Sequence, residues 1–141
     1  MSERIYFDSL PENAGYLIGG CEVHSLDETY KSEKYTVKIS KTAEQPCVLV
    51  KTKNLTSLIC TYPLKSTERL PEEFGNVDLV ICRADYPADV SADFVAVCAE
   101  KVRGDFLQKE LCSKGVPSAA TGGYGDIIIR AENGDMSIRR E

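Results

Sequence analysis

Short apolar runs bounded by turn residues are the feature that most constrains the fold of this 141-residue chain. Many of these runs alternate apolar with polar positions, which is the two-residue period of a β-strand. None is longer than about six residues, whereas a membrane-spanning helix needs about 20. The predicted strands are Arg4–Phe7, Tyr16–Val23, Tyr35–Ser40, Cys47–Thr52, Ser57–Tyr62, Val77–Cys82, Phe94–Ala99, Asp126–Ala131 and Met136–Arg140.

Two stretches have a helical pattern instead. Ser66 or Thr67 is a candidate cap for a turn or two of helix around Glu68 to Phe74, which Pro71 keeps short. The segment Gly104 to Lys114 is predicted to be a longer helix that stops at Gly115. Its apolar and polar residues at helical spacing are Phe106, Leu107, Glu110 and Leu111.

The segment IIIRAENGDMSIRR predicts a hairpin. Asn133 and Gly134 suit a type I′ turn, in which both central residues need positive φ, so the flanking strands should pair. The order of elements predicts an α/β protein with a mixed, largely antiparallel sheet and about two helices on one face. We expect a single domain over residues 1–141, since a chain of this length needs no second one.

The charge balance disfavours most nucleic-acid binding. The chain has a net charge of −5, which opposes a phosphate backbone unless basic residues are segregated on one face. Lysines do cluster between positions 31 and 53, and the simplest interpretation is the solvated side of a hairpin. Single-strand binding by these lysines is a further hypothesis, and its candidates are Lys34, Lys38, Lys51 and Lys53.

Six cysteines are widely spaced, at positions 21, 47, 60, 82, 98 and 112, and no CxxC pair occurs. Cys60, Cys82 and Cys98 stand in apolar runs, where a reduced cysteine behaves as a small hydrophobic residue. The pattern favours buried free thiols in a reducing compartment, with disulfides as the alternative. The start of the chain lacks a secretion signal, which favours the cytoplasm unless the chain is a piece of a longer protein.

The familiar catalytic patterns are missing. His24 is the only histidine and has no metal-ligand spacing around it, so no metal and no cofactor are expected. No GxSxG motif occurs, and a catalytic triad would depend on His24 alone. The glycine-rich TGGYG, at Thr121 to Gly125, leads into a strand rather than a helix and is interpreted as a turn.

The strongest candidate for a site lies in VDLVICRADYP. Its six strand residues are followed by Arg83, Asp85 and Tyr86, and ligands gather where strands of α/β sheets end. These three residues are therefore candidate binding residues. The acidic groups Asp85, Asp89 and Asp93 lie close together, and a solvated loop explains them more simply than acid/base catalysis.

From Thr56 onward the sequence resembles a known family, the metallo-β-lactamase-like domain at the end of the ComEC DNA-internalisation competence proteins. The similar segments are TSLICTYP, a short helix near ERL, VDLVICRADYP, FVAVCA, DFLQKELCSKG and a closing T-x-x-x-G-x-I-x-I hairpin. The similar part spans residues 46–141, and residues 1–45 match only loosely. The resemblance implies the second half of an αββα sandwich.

The chain departs from that family's metal-binding pattern. Where the family has a Thr-Gly-Asp turn, this chain has Cys60, Thr61 and Tyr62. Where the family has Pro-His-His-Gly-Ser, Ala84 and Asp85 stand at the histidine positions. The His-Pro before the last helix is replaced as well. The resemblance thus implies vestigial metal-site positions at Tyr62, Thr61, Ala84 and Asp85, with Arg83 and Asp85 forming the floor of the lost site and joined by an ion pair.

A half-fold of this kind would leave one sheet face without its covering layer. We therefore expect a homo-oligomer, or a protein partner that covers the exposed face, and a non-catalytic structural or partner-binding role with a setting in DNA uptake. The alternative is part of a metal-dependent hydrolase, a phosphodiesterase or nuclease, completed by another chain or by a missing amino-terminal half. A fragment of a competence membrane protein would be membrane-associated or extracytoplasmic.

Overall fold

The computed structural model describes residues 4–7, 16–18, 21–25, 29–42, 45–60, 70–83, 85–87 and 89–140 of the chain. The strands are β1 (Arg4–Phe7), β2 (Tyr16–Ile18), β3 (Cys21–Ser25), β4 (Thr29–Lys31), β5 (Tyr35–Thr42), β6 (Gln45–Thr52), β7 (Thr56–Cys60), β8 (Asn76–Cys82), β9 (Ser91–Val97), β10 (Ser118–Ala120), β11 (Ile127–Glu132) and β12 (Asp135–Arg140). The helices are a 3-10 helix (Glu72–Phe74), α1 (Lys101–Ser113) and α2 (Thr121–Tyr124).

Seven strands form one mixed sheet, in the order β10-β9-β8-β7-β6-β5-β4. The neighbours from β4 to β7 pair antiparallel, and those from β7 to β10 pair parallel. Two smaller sheets have the orders β1-β3-β2 and β11-β12. The predicted α/β class with a mixed sheet is confirmed, although the large sheet is divided equally between the two kinds of pairing instead of being largely antiparallel.

One face of the sheet packs against α1 and the 3-10 helix. Leu107 and Leu111 of α1 are buried, as is Phe74 of the 3-10 helix, and all three belong to one core cluster with the sheet. Burying each such side chain contributes about 1.5–3 kcal/mol of hydrophobic stabilisation. Val80 and Val95, both fully buried, are sheet members of this cluster.

The opposite face of the parallel strands packs against the β11–β12 hairpin. Ile127 and Ile129 of β11 and Met136 and Ile138 of β12 pack against a second cluster. The buried members of this cluster are Leu79, Phe94, Ala96 and Ala119. The parallel strands are therefore covered on both faces, which is the usual environment of parallel sheets and explains their nearly continuous apolar sequences.

The hairpin itself forms as the sequence predicts. Asn133 has a φ of 54° and Gly134 a φ of 88°, so both central residues of the turn have positive φ. Ala131 pairs with Met136, and the antiparallel register continues to Ile127 opposite Arg140. The Asn-Gly pair thus correctly predicted both the turn and the pairing of the two strands.

Most of the other predicted strands are present with ends shifted by a few residues. The predicted strand Tyr16–Val23 is two strands, β2 and β3, which pair antiparallel with Ile18 opposite Cys21. Gly-Gly stands between these two residues in the sequence, and it is a signal for a two-residue hairpin. The sequence reading missed β4 and β10, because three residues are too few to show a period.

The helices differ more from prediction. Ser66 and Thr67 lie outside the described residues, and the described end of the first predicted helix is the single 3-10 turn Glu72–Phe74 after Pro71. The second predicted helix is α1, which begins three residues earlier than expected. Gly104 lies inside it because α1 crosses β10 closely there, and a Cβ on Gly104 would lie 3.0 Å from the Cβ of Ala120.

The motif TGGYG, interpreted as a turn, forms the single helical turn α2. A Cβ on Gly122 would lie 2.4 Å from the backbone nitrogen of Lys101 and 2.5 Å from the carbonyl oxygen of Ala99. The glycine is therefore required because the backbone of α2 lies directly against the start of α1.

Candidate functional site

The carboxyl ends of the parallel strands meet at one edge of the large sheet, here called the carboxyl edge. β7 ends at Cys60, β8 at Cys82 and β9 at Val97, and β10 ends where α2 begins. Such edges hold the ligand sites of many α/β proteins. The residues after β8, which the sequence selects as candidates, therefore lie where a site is expected.

The charged candidates at this edge point into solvent. Arg83 and Asp85 are both exposed, and no ion pair of the described residues joins them, so the expected ion pair is wrong. Their assignment to the floor of a lost metal site stays a prediction. Exposed charges gain little by pairing, which is why they separate. Thr61, Tyr62 and Ala84 lie outside the described residues, so the other vestigial positions stay predictions.

Tyr86 has a structural contact. Its ring is half-buried against the core, and its hydroxyl donates a hydrogen bond of 2.5 Å to the carbonyl oxygen of Val90. Burial raises the pKa of the Tyr86 phenol, and the nearby Cys82 and Cys60 thiols add to the effect. The hydroxyl therefore stays protonated and ties the loop between β8 and β9 together.

Three cysteines lie side by side beneath this edge. Cys47, Cys60 and Cys82 lie opposite one another on β6, β7 and β8, and all three side chains are buried. The sulfur atoms of Cys47 and Cys60 lie 3.9 Å apart. The hydrogen bond with Cys47, followed by burial, raises the pKa of Cys60, and burial raises the pKa of Cys82 to about 12. The thiols of Cys60 and Cys82 are therefore protonated at neutral pH and are poor nucleophiles, because the thiolate is the reactive form.

The other described cysteines differ from expectation. Cys98, which the sequence placed inside an apolar strand, is exposed, because β9 ends at Val97. The backbone N–H of Cys98 donates a hydrogen bond to the carbonyl oxygen of Cys82, which extends the hydrogen bonding between β8 and β9 by one bond. The side chain of Cys98 is nevertheless exposed. Cys112 on α1 is exposed as well. Among the described cysteines, those with buried side chains are Cys47, Cys60 and Cys82. The prediction of buried thiols therefore holds for these three and is wrong for Cys98.

The lysine candidates separate into two groups. Lys38 and Lys51 line a pocket of about 360 Å³ on the helix-covered side of the sheet, beyond α1, and we call it the lysine pocket. Its lining residues are Thr29, Lys31, Thr36, Lys38, Leu49, Lys51 and Glu73. Lys34 and Lys53 instead stand in the turns before β5 and after β6 and do not line it.

The outer side of α1 exposes two large apolar side chains, here called the α1 apolar patch. Val102 is 78% exposed and Phe106 is 72% exposed, and they lie one helical turn apart. The sequence places Phe106, Leu107 and Leu111 at helical spacing, but of these three only the two leucines are buried. The buried positions are Gly104, Leu107 and Leu111, and this spacing places Phe106 on the opposite side.

His24 lies in β3 opposite Tyr6, and its side chain is outside the described part of the structure. Within that part, no group of three or more His, Cys, Asp or Glu side chains is arranged to hold a metal ion. Nor do the described helices include one that is long and apolar enough to cross a membrane.

Comparisons of the chain with protein-family models, with curated proteins and with solved structures give no match.

Proposed function

We propose that this protein is a non-catalytic structural module that associates with a second copy of itself through the α1 apolar patch. The observation that carries the proposal is the exposure of Val102 and Phe106, at 78% and 72%, on one side of a helix. Each exposed side chain of this size has about 1.5–3 kcal/mol of hydrophobic free energy available on burial. Adjacent exposed apolar residues of this kind mark interaction surfaces.

The patch is complementary to itself. Val102 and Phe106 lie symmetrically on either side of Gly104, which faces the sheet. Two α1 helices crossing antiparallel at this point place Val102 of one copy against Phe106 of the other. The same symmetry places Arg103 of one copy beside Asp105 of the other, so opposite charges flank the apolar contact.

The non-catalytic role is supported by the state of the groups at the carboxyl edge. The phenol of Tyr86 donates to a backbone carbonyl, and the thiols of Cys60 and Cys82 have raised pKa values that keep them protonated. These groups stabilise the edge of the sheet and are unsuited to nucleophilic attack. The sequence resemblance to the second half of the competence-protein domain suggests DNA uptake as the setting of such a module.

The test measures the mass of the protein by light scattering after size exclusion, over a range of concentrations. We expect a concentration-dependent dimer for the unmodified chain, and a monomer for the double variant Val102→Ser with Phe106→Ser. Cys112→Ser, an exposed position on the same helix, is the matched control and should leave the dimer intact.

The charge pair distinguishes this arrangement from other contacts. Arg103→Glu should weaken the dimer by repulsion from Asp105, and Arg103→Glu combined with Asp105→Arg should restore it. Arg103→Glu also removes the ion pair between Arg103 and Glu100 within one copy. This loss should change the stability of the fold little, because both side chains are mostly exposed. A monomer for the unmodified chain at all concentrations, or a dimer that survives the double serine variant, contradicts the proposal.

A further inference from the structure

Two cross-strand rows build the lysine pocket. Lys31, Thr36 and Lys51 lie opposite one another on β4, β5 and β6, in register. The next row on the same face consists of Thr29, Lys38 and Leu49. Neighbouring strands are about 4.8 Å apart, so the two long lysine side chains of the first row reach the same space above Thr36.

The charge of the pocket is positive. Glu73 from the 3-10 helix forms an ion pair with Lys38, which neutralises one of the three ammonium groups. No ion pair of the described residues includes Lys31 or Lys51, and both side chains are exposed. A net charge of about +2 at one pocket stands out on a chain whose net charge is −5.

The pocket also has a fixed apolar floor and hydroxyl donors. Leu49 is 2% exposed and closes the bottom, while Thr29 and Thr36 offer hydroxyl groups on two neighbouring strands. At about 360 Å³ the pocket is at the small end of ligand sites, which span about 300–1,000 Å³. A pocket of this volume has room for one charged group and a small organic part.

We propose that the lysine pocket binds a small phosphate monoester, with Lys31 and Lys51 holding the dianion and Thr29 and Thr36 donating hydrogen bonds to its oxygens. Lysine binds phosphate as a compact point charge. The two ammonium groups of Lys31 and Lys51 balance both charges of a phosphate dianion, whereas a carboxylate would balance only one of them. This binding is independent of the α1 apolar patch, since the two surfaces share no residue.

The test is calorimetric titration of the full chain with ribose 5-phosphate, AMP, inorganic phosphate and ribose. We expect both phosphate monoesters to bind more tightly than inorganic phosphate, and ribose not to bind. Which monoester binds better distinguishes a sugar phosphate from a nucleotide. Lys51→Ala should weaken binding about tenfold, the loss expected when one charge-assisted hydrogen bond is removed.

Glu73→Gln gives a change in the opposite direction. It removes the carboxylate that competes with the ligand for Lys38, so we expect binding to tighten about threefold. Lys53→Ala, in the turn beyond the pocket, is the matched control and should leave affinity unchanged. The absence of binding by either monoester overturns the proposal. So does binding that is unaffected by Lys51→Ala, or tighter binding of a single-stranded oligonucleotide that Lys53→Ala weakens.

Discussion

The two halves of the large sheet differ in what covers them. The parallel half, from β7 to β10, has α1 on one face and the β11–β12 hairpin on the other, and its central side chains are almost completely buried. The antiparallel half, from β4 to β6, has half-buried valines and isoleucines on one face and the open lysine pocket on the other. The first half supplies most of the described core, and the second supplies a concave, charged surface.

This difference follows from chain connectivity. Parallel strands need a crossover, and the crossover between β9 and β10 places α1 on the sheet. Antiparallel strands need only short turns, so no helix is brought over β4 and β5. The turns begin with Ser32 and Thr52, whose hydroxyls accept backbone N–H groups within the turn. Most of the buried core and the open lysine pocket therefore lie on different halves of one sheet.

The largest effect on the free energy of unfolding is expected when a valine is replaced by alanine in each half of the large sheet. Val95→Ala empties a fully buried position in the parallel half and should lower the free energy of unfolding by about 3 kcal/mol. Val37→Ala, at a half-buried position in the antiparallel half, should cost less than about 1.5 kcal/mol. Urea denaturation measures both. Equal losses would mean that the two halves contribute equally to the core.

The second effect concerns the contact between α1 and α2 on the parallel half. Gly122→Ala would place a methyl group against the backbone of Ala99 and Lys101, which cannot move aside as a flexible side chain does. We expect a loss of about 2 kcal/mol in thermal or urea unfolding. Gly115→Ala is the control for backbone strain, since Gly115 has a φ of 75° and nothing within 4 Å of its Cβ position. A smaller loss for Gly122→Ala than for Gly115→Ala would contradict the close contact.

The parallel half was the more predictable part from sequence. LVIC and FVAVCA are continuous apolar runs, and the Asn-Gly turn specifies its hairpin locally, so both signals lie within a few residues. The lysine pocket depends instead on register. Lys31 and Lys51 meet because β4 and β6 both pair with β5, and β4 is too short to be recognised in the sequence. The exposure of Phe106 likewise depends on packing, because Gly104, Leu107 and Leu111 form the buried side of α1.

The third effect is a pH dependence from the thiols of the parallel half. The pKa of Cys82 is raised by burial from 9.0 to about 12, so between these values the folded chain holds a proton that the unfolded chain has lost. Its contribution to stability is complete below about pH 9 and declines as the pH rises toward 12, by about 1.4 kcal/mol per pH unit. Cys82→Ala should make urea stability less dependent on pH between 9 and 10.5, whereas Cys112→Ala, at an exposed thiol, should not. Identical slopes for Cys82→Ala and the unmodified chain would contradict the buried, protonated state.

The smallest effect on the free energy of unfolding is expected when one hydrogen-bonded hydroxyl group is removed from each half of the sheet. Tyr86→Phe removes the hydrogen bond to the carbonyl oxygen of Val90 in a half-buried loop, and should cost about 1 kcal/mol because water replaces the lost partner poorly there. Ser32→Ala removes a hydroxyl that bonds the backbone of an exposed turn, where water can take its place, and should cost less than about 0.5 kcal/mol. Chemical denaturation resolves the two values when they are measured as paired differences from the unmodified chain. A greater loss for Ser32→Ala would show that the exposed turns of the antiparallel half, and not the loop at the carboxyl edge, hold the sheet in register.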